Sequence, residues 1–188
     1  ADPALLAERT PLPPEGAPGP PTPDDGPAPA TVKGIRCPVD HHNSPAASYC
    51  SSCGRKLGIS RSLVLVDGPR PPLGVLILDD GSTVPVQFDL VIGRDPDGDE
   101  LVLEGAALPV GVADASQSVS RSHLHIQLEQ WDVIVSDRGS SNGTFVWDDA
   151  ADDWRRLRDA ERLRIEGGTR LLMGQREVVF DQHHVRAP

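Results

Sequence analysis

An all-β sandwich over residues 62–182 is the fold this sequence predicts, and three observations carry it. Apolar side chains alternate with polar ones in several short runs, the two-residue period of a half-buried strand. Turn pairs separate the runs at Asp80-Gly81, Asp97-Gly98, Asn142-Gly143 and Gly167-Gly168. No long segment repeats its apolar residues at the helical period. Many short strands with frequent turns pack as two facing sheets.

The runs in chain order are these. Val84, Val86, Phe88, Leu90 and Ile92 alternate in one stretch, Leu124, Ile126 and Leu128 in the next. Trp131, Val133 and Val135 follow, then Leu163 with Ile165, and finally Val178 with Phe180. Residues 183–188 are expected to be a short C-terminal tail. Residues 1–34 are rich in proline, alanine and glycine and hold few large apolar side chains. Such a segment buries too little surface to offset its ordering entropy, so a disordered tail or linker is expected.

Residues 35–57 hold all three cysteines. Cys37, His41, Cys50 and Cys53 are spaced C-x3-H-x8-C-x2-C, and a C-x2-C turn brings two thiolates onto one ion. The adjacent His42 is an equal candidate on spacing alone. An odd cysteine count without a secretory signal speaks against a disulfide. The segment resembles the short zinc ribbons of bacterial regulatory proteins, C-P-x-x-H-x-N-P followed by C-x-x-C-G. That resemblance implies structural Zn2+ on Cys37, His41, Cys50 and Cys53. Asn43 keeps its place in the pattern, and Ser44 stands where a proline is usual.

The net charge of −10 excludes broad electrostatic binding to nucleic acid, which needs a basic face. Any anion site is therefore local, a few arginines on an acidic body. Apolar runs fall well short of the roughly 20 residues that span a bilayer. No signal peptide is visible, which makes the cytoplasm the expected compartment.

The stretch Ser120-Arg121-Ser122-His123-Leu124-His125 invites three readings. Catalysis is disfavoured, because Ser122 and His123 are strand neighbours pointing to opposite faces. Gly139-Ser140-Ser141-Asn142-Gly143 matches a nucleophile elbow, but a β-type run follows it where that motif requires a helix. A metal on His123 and His125 lacks a third ligand. The acidic run 95–100 lacks the glycine and the terminal acid of a calcium loop, and is expected to be a solvated turn. Anion binding remains.

Gly93-Arg94, then Ser120-Arg121-Ser122-His123, then Asp137 to Thr144 resemble the forkhead-associated (FHA) domain, patterned G-R, S-R-x-H, D-x-x-S-x-N-G-T. The resemblance implies an eleven-stranded sandwich whose end loops bind phosphothreonine peptides, a module that reads phosphate through arginines and is no enzyme. Arg94, Ser120 and Arg121 would face the phosphate, Asn142 the ligand backbone, and Ser141 the threonine. Gly93, His123, Asp137 and Gly143 would shape the loops. The long gap between Arg94 and Ser120 implies a large first loop, and the acidic stretch 147–154 an insertion that disfavours acidic ligands if it lies near the site.

The function expected is a signalling adaptor downstream of a serine/threonine kinase. Its partner is a phosphothreonine protein, or its own tail through phosphorylated Thr22. The alternative is a ribbon that binds nucleic acid or a large assembly, with the sandwich as scaffold.

Overall fold

The computed structural model describes residues 28–57 and 64–182. Thr22, with the tail up to residue 27, and residues 183–188 lie outside the described residues. The chain begins with a small antiparallel sheet: β1 (Thr31–Arg36), β2 (His42–Asn43) and β3 (Val66–Pro69), in the order β2-β1-β3. Eleven further strands follow. They are β4 (Val75–Leu78), β5 (Thr83–Pro85), β6 (Leu90–Gly93), β7 (Leu108–Gly111), β8 (Leu124–Glu129), β9 (Asp132–Asp137), β10 (Thr144–Asp148), β11 (Asp153–Arg156), β12 (Leu163–Ile165), β13 (Arg170–Met173) and β14 (Arg176–Asp181). A six-stranded sheet, β11-β10-β13-β14-β4-β5, faces a five-stranded one, β12-β9-β8-β6-β7. These two sheets make the eleven-stranded sandwich that the sequence resemblance implies.

The core lies between the sheets. Leu124, Ile126, Val133, Val135, Val178 and Phe180 are all completely buried, each on the inward side of its strand. The alternation at 84–92 is one periodic run in sequence but two strands in space. β5 edges the six-stranded sheet, and β6 lies inside the five-stranded one. Pro85 has no N–H to continue a ladder, so the chain crosses between sheets while Val86 stays buried.

Two expected boundaries move. Residues 31–34, assigned to the tail by composition, form the start of β1, where Val32 is buried against the body. Residues 66–69, expected in the sandwich, pair with β1 in the register Val32 opposite Gly68. Composition misjudged both because each strand gains its partner from a distant part of the chain.

That sheet docks on the turn between β8 and β9. The Trp131 indole donates to the Lys33 carbonyl at 2.7 Å, and the His42 ring lies 5.4 Å from the Trp131 ring. Arg70, only 6% exposed, reaches the carbonyl oxygens of Leu128 at 3.2 Å and Gln130 at 3.4 Å. Burial lowers its pKa, and the charge of Asp89 opposes that. Replacing Trp131 with phenylalanine keeps the ring but removes the bond to Lys33. This should cost about 1 kcal/mol, read as faster amide exchange along β1 with the sandwich core unchanged.

Candidate functional site

β6 ends at Gly93, and Arg94 leaves the sheet there. A Cβ on Gly93 would overlap the Arg121 carbonyl oxygen, so only glycine lets the two loops meet. The Arg94 amide then donates to Ser120 O at 3.1 Å, and the Asp95 amide to Arg121 O at 3.3 Å. The expected large loop from 95 to 119 is ordered by structure of its own. It contains a 3-10 turn at Pro96–Gly98, the helix α1 (Glu100–Leu103), and β7 running parallel to β6.

The acidic run 95–100 is not a solvated turn, and this corrects the expectation. Asp99 is 7% exposed, caps α1 through the Leu101 amide, and pairs with Arg138 at 2.9 Å. Burial works to raise its pKa, but Ser122, Leu101 and Arg138 together hold it below the usual carboxylate range. Asp114 organises the rest of the loop. It accepts from Ser116 N and Oγ, Ser118 Oγ and Val119 N, and the Ser116 hydroxyl is the largest of the causes that lower its pKa to about 2. Sequence reasoning missed both residues, although an aspartate two places before a serine is an Asx-turn signal.

His123 is completely buried and ties three loops together. Its Nδ1 accepts from the Ser120 amide at 3.0 Å, so Nε2 carries the proton that reaches Gly143 O at 3.2 Å. Burial lowers its pKa and favours this neutral form. Asp137 braces the third loop by accepting from Ser140 N, Ser140 Oγ and Thr144 Oγ1 at 2.8, 2.7 and 2.6 Å. Its burial opposes the charge, yet these donors keep its pKa low. Gly143, at φ +79°, accepts the Arg156 side chain against its bare Cα.

These supports bring Arg94, Ser120, Arg121 and Ser141 to one cleft of about 620 Å³. Ser120 Oγ accepts from the Ser141 amide at 3.0 Å, and Asn142 donates to Ser118 O at 2.7 Å. Arg94, Arg121, Ser141 and Asn142 are all exposed. Neither Arg94 nor Arg121 has a carboxylate partner among the described residues, whereas Arg138, Arg155, Arg162, Arg164, Arg170 and Arg176 all do. Ser122 bonds Asp99, and both His123 nitrogens are engaged, so that pair offers no free base.

The acidic stretch 147–154 lies elsewhere. It closes the β10–β11 hairpin, with Trp147 and Trp154 paired edge to face at 5.3 Å and Arg170 over Trp147 at 4.9 Å. Three residue steps separate its start at Trp147 from Thr144, about 10 Å along the strand. It therefore caps the end of β10 opposite the one that joins Asn142.

In the ribbon, Cys37, His41, Cys50 and Cys53 present donor atoms that all lie within 4.8 Å of one another, an arrangement that can hold a metal ion. His41 turns its Nδ1 to the thiols, 3.5 Å from both Cys37 and Cys50. His42 points the other way, with Nε2 donating to Val32 O at 3.0 Å, and this resolves the choice between the adjacent histidines. The backbone amides of Cys53 and Ser52 overcome burial and hold the Cys50 thiol at about 6. Asn43 Oδ1 accepts from the Ser51 amide at 2.9 Å and braces the knuckle.

Acid should loosen this molecule from pH 6.5 downward. His123 and His125 both titrate below their ordinary 6.5 in the fold because burial, complete for His123 and partial for His125, disfavours the charged ring, so below that pH the unfolded chain gains protons that the fold refuses. Their contribution is complete above 6.5 and lost progressively beneath it. Asp114 and Asp137 add a second loss below pH 3.8. A thermal midpoint that stayed flat from pH 7.5 to 5 would contradict this.

The all-β sandwich thus presents, on the loops at one end, hydroxyls, an amide and two arginines that have no carboxylate partner among the described residues. Residues 90–174 match the family model described as FHA domain, and this part of the chain is an FHA domain. Among solved structures, the chain resembles one described as an analysis of phosphothreonine-dependent FHA domain interactions, at 24% identity and TM-score 0.42, covering 59% of this chain and 97% of that one. It also resembles the FHA domain of the CT664 protein from Chlamydia trachomatis, at 18% identity and TM-score 0.42, covering 57% and 95%. A third is EmbR of Mycobacterium tuberculosis in complex with a low-affinity phosphopeptide, at 20% identity and TM-score 0.45. There 73% of this chain matches 27% of that one. No curated protein matches the chain. No helix among the described residues is long and apolar enough to cross a membrane.

Proposed function

We propose that this protein is a phosphothreonine-binding adaptor that acts in the cytoplasm, downstream of a serine/threonine kinase, and recruits a phosphorylated partner. One observation carries the reading. Two exposed arginines, with no carboxylate partner among the described residues, flank a hydroxyl in one cleft of a protein whose net charge is −10. Phosphothreonine brings about −1.5 to −2 charges and three acceptor oxygens. The planar fork of Arg94 takes two of those oxygens, Ser120 donates its hydroxyl, and Arg121 supplies a further donor. Asn142 spends one donor on Ser118 and keeps its amide oxygen for a ligand N–H. Ser141 sits against the threonine. A methyl group adds about 0.8 kcal/mol when buried, and the stiff threonine rotamer adds to that preference over serine.

The metal of the ribbon is Zn2+ in this reading. Ligands at 2.3 Å for sulfur and 2.0–2.1 Å for nitrogen, set tetrahedrally, are separated by about 3.8 Å for S–S and about 3.6 Å for S–N. The thiols of Cys37 and Cys53 are 3.9 Å apart, and His41 Nδ1 is 3.5 Å from its two thiols. Four protein ligands close the site, so the ion is structural. Phosphorylated Thr22, with Asp24 and Asp25 after it, is a candidate internal ligand that a linker can deliver at high effective concentration.

Calorimetric titration with a degenerate phosphothreonine peptide mixture and its unphosphorylated twin tests the reading. Heat only with the phosphorylated set supports it. Equal heats, or none from either set, sink it.

A further inference from the structure

We infer that the outer face of the six-stranded sheet joins two copies of this chain, face to face and antiparallel. The inference is independent of the ligand proposed above.

An antiparallel sheet that covers a core on one side is normally polar on the other. The five-stranded sheet obeys this on β8, whose outward residues are His125, Gln127 and Glu129. The six-stranded sheet does not. Val146, Leu171, Val178 and Leu76 face the core, so the alternate positions Phe145, Trp147, Leu172, Val179 and Ile77 face outward. Ladder pairing makes them one surface. Phe145 stands opposite Leu172, Val179 opposite Ile77, and Trp147 opposite Trp154 of the edge strand. All six are half-buried, and none belongs to the sandwich core or packs against it. A contiguous apolar patch of this kind marks an interaction surface. Arg170 stacks on both indoles and pairs with Glu177 at 2.7 Å, so the charge in the middle of the patch is already neutralised.

The charges at the two ends of the patch choose its occupant. The turn between β10 and β11 carries Asp148, Asp149, Asp152 and Asp153, and none of them forms an ion pair with a described residue. Asp148 and Asp149 act from a distance on Arg155 and Arg170, each of which is already paired with a glutamate. At the far end of β11, Arg156 has no carboxylate partner among the described residues, and its register opposite Phe145 puts it on the outer face.

A twofold axis lying between two such faces, across the strands, sets β11 over β11 of the second copy in the opposite direction. Each Arg156 then meets the acidic turn of the other copy, a contact made twice by symmetry. The face is complementary to itself, apolar on apolar and cation on acid, as an isologous contact requires. The two clefts come to lie at opposite ends of the pair. Five strands at about 4.8 Å and six residues at about 3.3 Å outline about 24 by 20 Å, or about 1,000 Å² for the two copies together. That is the low end for a specific contact, so dissociation on the order of 10–100 µM is expected.

The test is sedimentation equilibrium on the full chain across that concentration range. The sample is reduced and dephosphorylated, so that neither a disulfide nor a phosphorylated tail joins copies. Wild type should dimerise, and Leu172→Lys should leave a folded monomer. Arg156→Asp should weaken the dimer about three- to thirtyfold, the scale of two exposed ion pairs. Asp149→Lys with Asp152→Asn should weaken it similarly; asparagine tolerates the left-handed backbone of residue 152, at φ +53°. An equal mixture of these two charge variants should regain the wild-type affinity, because each altered end meets its complement in the mixed pair. High salt should narrow all these differences. A wild type that stays monomeric throughout overturns the inference, whether the face is bare or covered by another part of the chain. A dimer that survives Leu172→Lys overturns it by placing the contact elsewhere, as does a mixture no tighter than its components. Where Leu172→Lys fails to fold, the charge variants decide alone.

Discussion

Replacing Arg94 with alanine should weaken phosphothreonine-peptide binding by about 2–4 kcal/mol, or roughly thirty- to a thousandfold, and leave the fold intact. The size follows from the chemistry. A bidentate, charge-assisted contact to a dianion is lost, and the phosphate keeps its charge without the matching fork. Stability should not change, because the side chain is exposed and bonds none of the other described residues, while the structural contact at this position is the backbone bond to Ser120 O. Ser120→Ala is less clean, since the hydroxyl also accepts from Ser141 N and the third loop would shift. Calorimetry gives the affinity and a melting curve gives the control. Tight binding by a folded Arg94→Ala chain would rule out this cleft as the phosphate site.

Removing the metal should have an effect as large, but on stability and at the other end of the molecule. The ribbon's buried cluster consists of Ile35, Cys37, Cys50 and Leu57, with Ala47 against it. Two of its members, Cys37 and Cys50, belong to the cluster that can hold the metal. So small a core cannot order the segment, and the ion supplies about 10–16 kcal/mol in peptides of this kind. Chelation, or Cys50→Ser, should therefore unfold residues 35–57 and release β1 from Trp131, seen as a change in indole emission. The sandwich has its own large core and should melt as before. Phosphopeptide affinity should change little, because β8 separates Trp131 from the cleft by six residues, about 20 Å. A ribbon that kept its amide protection in chelator would contradict the assignment.

The parts legible in the sequence were those with a local signal. β8, β9 and β14 announced themselves by strict alternation, and the three ribbon cysteines by their spacing, which left His41 and His42 both open. The loop motifs were legible because Gly93-Arg94 is followed in order by two short spans dense in polar residues, Ser120 to His123 and Asp137 to Thr144. What stayed hidden was decided by distant partners. Arg70 stands beside Pro71 and Pro72 with no local sign of burial, yet the turn at Leu128 to Gln130 buries it. Asp99 looks like one acid among many until Arg138 arrives from the loop after β9. The switch of sheets after Pro85 is invisible for a different reason: inward residues stay inward across it, so the period of two never breaks. Arg156 went unnoticed because only the pairing of β10 with β11 brings it to Gly143.

The most direct test of the central claim is amide chemical-shift mapping during titration with a phosphothreonine peptide. The expected result is movement of Arg94, Ser120, Arg121, Ser141 and Asn142, dependent on the phosphate, with the ribbon amides at rest. Shifts centred on residues 35–57, or none anywhere, would contradict the account and leave the cleft as architecture.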